Sequence, residues 1–176
     1  QAIKDRPNVI IANRIICNKD MVPIKKNASW LNKNMKDSIF DFNEIDSLNN
    51  YLKSLNSIGG LFSYMSVLIF KKKDWITVDN EKKYIFKCYS HAYNLFQILK
   101  LKNSKLKYLS SNIIMFRGFN DSFATDGYIN RILIDLNGYK LLQEHLFPSG
   151  IKKKLFLKTI KKEHPWYYLI RLKYES

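Results

Sequence analysis

Six consecutive residues, Arg117-Gly118-Phe119-Asn120-Asp121-Ser122, gather a guanidinium, a turn glycine, an amide, a carboxylate and a hydroxyl. The apolar run Asn112-Ile-Ile-Met-Phe116 delivers the chain into them as a buried strand delivers a loop. Polar groups at the C-terminal end of a strand are where α/β proteins build ligand sites, because the sheet holds the loop rigid. Arg117 is suited to a phosphate, which a guanidinium grips bidentately; Asn120 joins it as a binding candidate, and Asp121 is a candidate base. The plainer alternative is a turn, with Gly118 at positive φ, Asn120 or Asp121 capping the next helix, and Arg117 paired with Asp121 or Asp126. His91 is a second candidate base, since an imidazole titrates near neutral pH. It also falls on a helical stripe with Cys88 and Leu95, where a core histidine bonded to a backbone carbonyl is the ordinary arrangement. Ser63, Tyr64 and Ser66 interrupt an apolar run, and polar atoms in a buried strand must find partners. Ser63 and Tyr64 facing a cleft would bind substrate hydroxyls; facing a neighbouring strand they would bond across it. Trp75 reads as a packing residue, His145 and His164 read as surface residues, and no metal-ligand spacing occurs.

The elements that must position these residues read as α/β followed by a helical tail. Asn8–Cys17 is a nearly continuous β-branched run, the pattern of a strand buried on both faces. Residues 18–43 read as irregular, with Trp30 exposed. Residues 41–56 carry Leu48, Tyr51, Leu52 and Leu55 at helical spacing, and Gly59-Gly60 ends that element. Leu61–Phe70 reads as a second buried strand, 84–101 as a helix, and 107–116 as the third strand. A helix is expected over 127–147 with a break at Asn137-Gly138, then one or two amphipathic helices over 151–174. The plausible internal boundary lies near residue 125, dividing 1–125 from a helical tail, 126–176.

At 176 residues the chain can bury a substantial core. Cys17 and Cys88 fit reduced core thiols rather than a disulfide or a metal site. The N-terminus shows no signal peptide, and the missing initiator Met suggests a piece of a longer chain. Thirty Lys and Arg against fifteen Asp and Glu leave a net charge of +15, which favours a polyanionic neighbour. With only five Arg, the residue that reads bases bidentately, a membrane surface or phosphate is favoured over nucleic acid. Part of the lysine content also fits an AT-rich genome.

The order of these pieces resembles the C-terminal half of a family-2 glycosyltransferase of the GT-A, Rossmann-like fold, near the bacterial surface-polysaccharide enzymes of the abequosyltransferase type. The resemblance is carried by Val9-Ile-Ile-Ala-Asn13, Gly60–Trp75, Tyr89-Ser-His-Ala-Tyr93, Arg117–Phe123, Ile134-Asp-Leu-Asn-Gly-Tyr139 and Glu163-His-Pro-Trp-Tyr-Tyr168. It implies a partial mixed sheet flanked by helices, cytoplasmic and peripheral at the inner face of the membrane. It also implies an inverting displacement: the hydroxyl of a lipid-linked saccharide attacks a nucleotide-sugar in surface-polysaccharide (O-antigen or capsule) synthesis. The family's donor half ends in an Asp-x-Asp motif holding a divalent metal, Mn or Mg. No two aspartates here stand two apart, and Glu44-Ile-Asp46 reads as charge at a helix start. The resemblance therefore implies an acceptor-side half, 1–125, that is inactive alone, with metal and donor bound by a missing N-terminal half. The family's base is a carboxylate at the start of the helix after the middle strand; Tyr89-Ser90-His91 stands there, with no acid. His91 is thus the first candidate and Asp121 the second. Lysines interleaved with Trp166, Tyr167 and Tyr168 suit a helix on an anionic leaflet, or else aromatics docked on the missing half. A non-catalytic nucleic-acid binder, which would expose aromatics on a sheet face, and a protein-interaction domain are the alternatives from other classes.

Overall fold

The structure, a computed structural model, describes residues 6–78, 89–118, 127–167 and 170. Its centre is β1 (Val9–Cys17), whose β-branched residues suit a buried strand. It runs parallel to β5 (Lys105–Arg117), pairing from Val9↔Leu106 to Cys17↔Arg117. The other edge of β1 is shared by two antiparallel strands. β4 (Leu68–Phe70) covers Val9 to Ile11, and β2 (Pro23–Ala28) covers Arg14 to Cys17. β3 (Ser38–Asp41) closes the far side of β5, so the order is β2-β1-β5-β3 in a five-stranded mixed sheet.

Helices cover one face of this sheet. α1 (Ile45–Ser54) turns Leu48, Tyr51 and Leu52 inward, as their spacing requires. A short α2 (Lys72–Thr77) follows β4, and α3 (Ser90–Lys100) buries Ala92, Leu95, Phe96 and Leu99. α4 (Tyr128–Leu146) and α5 (Gly150–Glu163) add Tyr139, Leu142, Phe156 and Ile160 to the same hydrophobic cluster. The helical tail is thus packed on the core of the sheet. Among the described residues the opposite sheet face is open along the second half of β5, where every other residue is exposed, including Ile113 and Met115.

Several expectations are corrected. Residues 18–43 hold β2 and β3, and Trp30 is buried, its indole N–H donating to the Ala12 carbonyl at 2.7 Å. The stretch 61–70 is a strand only at Leu68–Phe70; Ile58–Leu61 and Met65–Val67 are 3₁₀ turns. α4 continues through Asn137-Gly138 without a break. Its glycine costs about 1 kcal/mol of propensity, outweighed by the burial of Tyr139, Leu142 and Leu146 beside it. Gly118 does not take the left-handed φ of a turn glycine. A side chain there would instead meet the Cys17 carbonyl oxygen 2.7 Å from its Cβ.

Gly59 makes the tightest approach. A Cβ built on it would lie 1.8 Å from Cε3 of Trp30, a ring already fixed by its hydrogen bond to Ala12. Gly59→Ala is expected to destabilise the fold by about 1–3 kcal/mol, the cost of overpacking a filled core. A urea denaturation midpoint no lower than that of the wild type would contradict this packing.

Candidate functional site

Two bulky residues stand in the left-handed backbone region beneath the sheet, Phe62 (φ 65°) and Tyr89 (φ 70°). For side chains of that size the conformation costs on the order of 1–2 kcal/mol each, and such strain gathers at functional sites. His91, in the first turn of α3, ties the two segments together: its Nε2 lies 2.8 Å from the Phe62 carbonyl oxygen. A carbonyl only accepts, so Nε2 carries the proton and Nδ1 keeps a lone pair. Burial lowers the His91 pKa below the ordinary 6.5, against the opposing effect of the Phe62 bond. The imidazole is therefore neutral at physiological pH, the form a base requires. Next along the chain from Phe62 come Ser63, half-buried, and Tyr64, which packs edge-on against Phe116 with centroids 5.1 Å apart.

Behind His91 lies a buried charge network that the sequence reading did not identify. Oδ1 of Asp135 on α4 accepts from the Tyr89 hydroxyl and from Nη1 of Arg131, one turn earlier. Oδ2 accepts from Nε2 of His164, 3.1 Å away. Burial pushes the Asp135 carboxyl up, but the bonds from His164, Tyr89 and Arg131 outweigh it and hold it below the ordinary carboxylate value. The same burial, reinforced by the carboxylate, pushes the Tyr89 phenol well up, so it stays a donor. His164 is consequently no surface residue; its side chain is 9% exposed. One sequence signal could have found the network: Asp135 shares a helical stripe with Ile132, Tyr139 and Leu142, and a lone acid on an apolar stripe needs a partner.

A third feature lies on the same side of the sheet. The β1–β5 register slips on both sides of Asn13, and Arg14 comes to face the helices. Irregularities of this kind re-aim side chains beside active sites. Asn13 is satisfied, bonding the Tyr108 hydroxyl, the Ser110 carbonyl and the Trp30 N–H. The Arg14 guanidinium lies 4.0 Å from the Trp30 ring centroid, 4.7 Å from Phe116 and 5.3 Å from Tyr64. Burial brings its pKa down to about 10, opposed by Tyr64 and Glu163. Its Nε is buried without a hydrogen-bond partner among the described residues. Stacking contributes about 0.5–2 kcal/mol, while a buried, unsatisfied donor costs about 1–3 kcal/mol.

The structure thus brings Ser63, Tyr64 and His91 together around the turn at 62–64. Arg117 does not join them: it alternates with Phe116 along β5, points to the open face, and meets the Met21 sulfur at 3.5 Å from its Nε. Asn120, Asp121, Asp126, Cys88 and Arg171 lie outside the described residues. Trp75 packs, as expected, stacking on Phe70, and His145 is exposed. Among the described residues no three His, Cys, Asp or Glu side chains gather as a metal requires. Asp135 is already committed to Tyr89, Arg131 and His164.

The α/β arrangement, a mixed sheet flanked by helices and ending in helices, is consistent with a GT-A-like fragment. Over 168 residues, 94% of this chain, it is 33% identical to abequosyltransferase RfbV of Salmonella typhimurium. The match takes in 50% of that protein, its C-terminal half, so the chain spans about half the length of the curated relative it matches. No protein-family model matches the chain, and no solved structure does.

Proposed function

We propose that this chain is the acceptor-side half of an inverting family-2 glycosyltransferase. Its full-length parent would move a sugar from a nucleotide-sugar to a lipid-linked saccharide in bacterial surface-polysaccharide synthesis. The observation that carries this reading is the 33% identity across 94% of the chain to a protein named as an abequosyltransferase. The divalent cation, Mn or Mg, belongs in this reading to the part of the parent that the chain does not match, and no step below passes through it.

Within these residues His91 is the base. Its Nε2–H is anchored on Phe62, and Nδ1 takes the proton of the attacking acceptor hydroxyl. Ser63 and Tyr64, beside it, position that hydroxyl. Tyr89, held by Asp135, fixes the backbone from which His91 projects. Asp121 is the second candidate for the base, Asn120 for a substrate contact, and Arg117 serves the far side of the strand end. The protein sits at the inner face of the membrane: Trp166 and Tyr167 are exposed beside Lys161 and Lys162, the pairing of interfacial aromatics with basic charge that favours an anionic leaflet. No described helix is long and apolar enough to cross a membrane.

The test is turnover of a panel of nucleotide-sugars by the full-length protein with Mn²⁺ or Mg²⁺. Metal-dependent release of nucleoside diphosphate is expected. No turnover with any donor, together with salt-sensitive binding to oligonucleotides, would instead support the nucleic-acid alternative. That alternative has the net charge of +15 in its favour. Against it, the open sheet face presents Ile113, Met115 and Ile39 where base stacking would need rings.

The lowered pKa of His91 sets a pH dependence. A base works deprotonated, so kcat/KM should hold level from neutral pH down to the ordinary histidine value near 6.5 and fall only below it. An acid limb at or above that value in a rate profile would exclude His91 as the group that titrates.

A further inference from the structure

Among the described residues the Arg14 guanidinium is a cation with no carboxylate in ion-pair contact, and its Nε is buried with no hydrogen-bond partner. The carboxylate that influences it, Glu163, acts from beyond ion-pair range while its Oε2 accepts the Ile58 N–H at 3.2 Å. Trp30, Phe116 and Tyr64 surround the group at 4.0, 4.7 and 5.3 Å from their centroids. Rings engage a guanidinium through its faces. Its edge carries the N–H donors, among them the buried Nε that has no partner, and a guanidinium edge matches two oxygens of a phosphate. A ring-lined cation is weakly hydrated and strengthened by its low-dielectric surroundings, so an arriving oxyanion displaces little water from it. The slip in register at Asn13 accompanies the turn of Arg14 toward Trp30 and Tyr64, and Tyr64 follows Ser63 in the turn whose Phe62 carbonyl holds His91.

We propose that Arg14 is the diphosphate-binding residue of this site, its ring-stacked guanidinium taking two phosphate oxygens edge-on. The inference rests on the transferase reading for the origin of the diphosphate, which both a nucleotide-sugar donor and a prenyl-linked acceptor carry. Arg117, on the opposite sheet face, is then not the phosphate ligand beside Arg14.

The experiment titrates the 176-residue chain with inorganic pyrophosphate, uridine diphosphate and farnesyl diphosphate, comparing wild type, Arg14→Lys and Arg14→Gln by calorimetry. Binding weakened at least tenfold in both variants is expected, since lysine keeps the charge and loses the two-pronged edge. Uridine diphosphate bound more tightly than the other two assigns the donor; farnesyl diphosphate bound more tightly assigns the acceptor. Equal pyrophosphate affinity in wild type and Arg14→Gln would overturn the proposal. Should the variants fail to fold, phenylglyoxal labelling of the wild type read by mass spectrometry decides it. Pyrophosphate should protect Arg14, and protection of Arg117 with Arg14 left reactive would overturn the proposal. Arg14-dependent diphosphate binding alongside a full-length protein that turns over no nucleotide-sugar would sink the transferase reading and leave the anion site standing. Turnover that survives Arg14→Gln undiminished, with no loss of pyrophosphate binding, would do the reverse.

Discussion

Replacing His91 with alanine in the full-length protein is expected to lower sugar transfer by about a hundred- to ten-thousand-fold, the range for removing a positioned general base. The expectation rests on the fixed tautomer. With the Nε2 proton donated to Phe62 and burial holding the ring neutral, Nδ1 can accept a proton without first losing one. His91→Gln separates chemistry from structure, because its amide N–H can still reach the Phe62 carbonyl while nothing in it accepts a proton at neutral pH. It should therefore fold like the wild type and transfer as poorly as the alanine variant. Asp121→Asn supplies the comparison with the second candidate. If it abolishes transfer while His91→Gln leaves it intact, the base is Asp121 and the imidazole is a packing residue.

The largest effect on stability is expected at Asp135. Asp135→Ala removes the acceptor shared by Tyr89, Arg131 and His164 and leaves three donors facing a cavity. Breaking a buried ion pair costs about 3–5 kcal/mol. Arg131 retains some exposure, its side chain being 22% accessible, so a loss near the lower end, about 3 kcal/mol, is expected. For a chain of this size that is a fall in Tm of roughly 6–12 °C. Asp135→Asn keeps an acceptor of similar shape and should lose less. The pH dependence follows from the direction of the shift. Because the folded-state pKa lies below the ordinary carboxylate value, the stabilisation is fully present above that value and is lost as pH falls through the folded pKa. A melting temperature of Asp135→Ala within 2 °C of the wild type, on the order of one kcal/mol or less, would mean the network contributes nothing.

How much of this was legible in the sequence depends on how local the cause was. β1 and β5 were readable because β-branched runs favour strands wherever they sit. α1 was readable because Leu48, Tyr51 and Leu52 repeat at its period. β2 and β3, of sequence PIKKNA and SIFD, were missed because a short edge strand draws its hydrogen bonds from a neighbour rather than from its own pattern. Trp30 is buried by Gly59 and by the Ala12 carbonyl, partners its own neighbourhood does not reveal. The apolar stretch 61–70 looked like a strand, yet its left-handed Phe62 and two 3₁₀ turns follow from packing against Trp30, Tyr51 and α3. In the site, His91 could be singled out by residue type. Asp135 could not be paired by inspection, since Tyr89 and His164 stand 46 and 29 positions away. Arg14 was visible as the one charge inside VIIANRIIC, but its three rings come from residues 30, 64 and 116.

The most direct test of the transferase reading is to incubate the full-length protein with labelled nucleotide-sugars, a lipid-linked saccharide from a polysaccharide-producing bacterium, and Mg²⁺. Labelled sugar is then counted in the butanol-extracted lipid. Label reaching the lipid fraction from one donor with wild-type protein, and not with His91→Gln, is the predicted result. No label in the lipid from any donor, with a protein that is folded and binds the metal, would contradict the account.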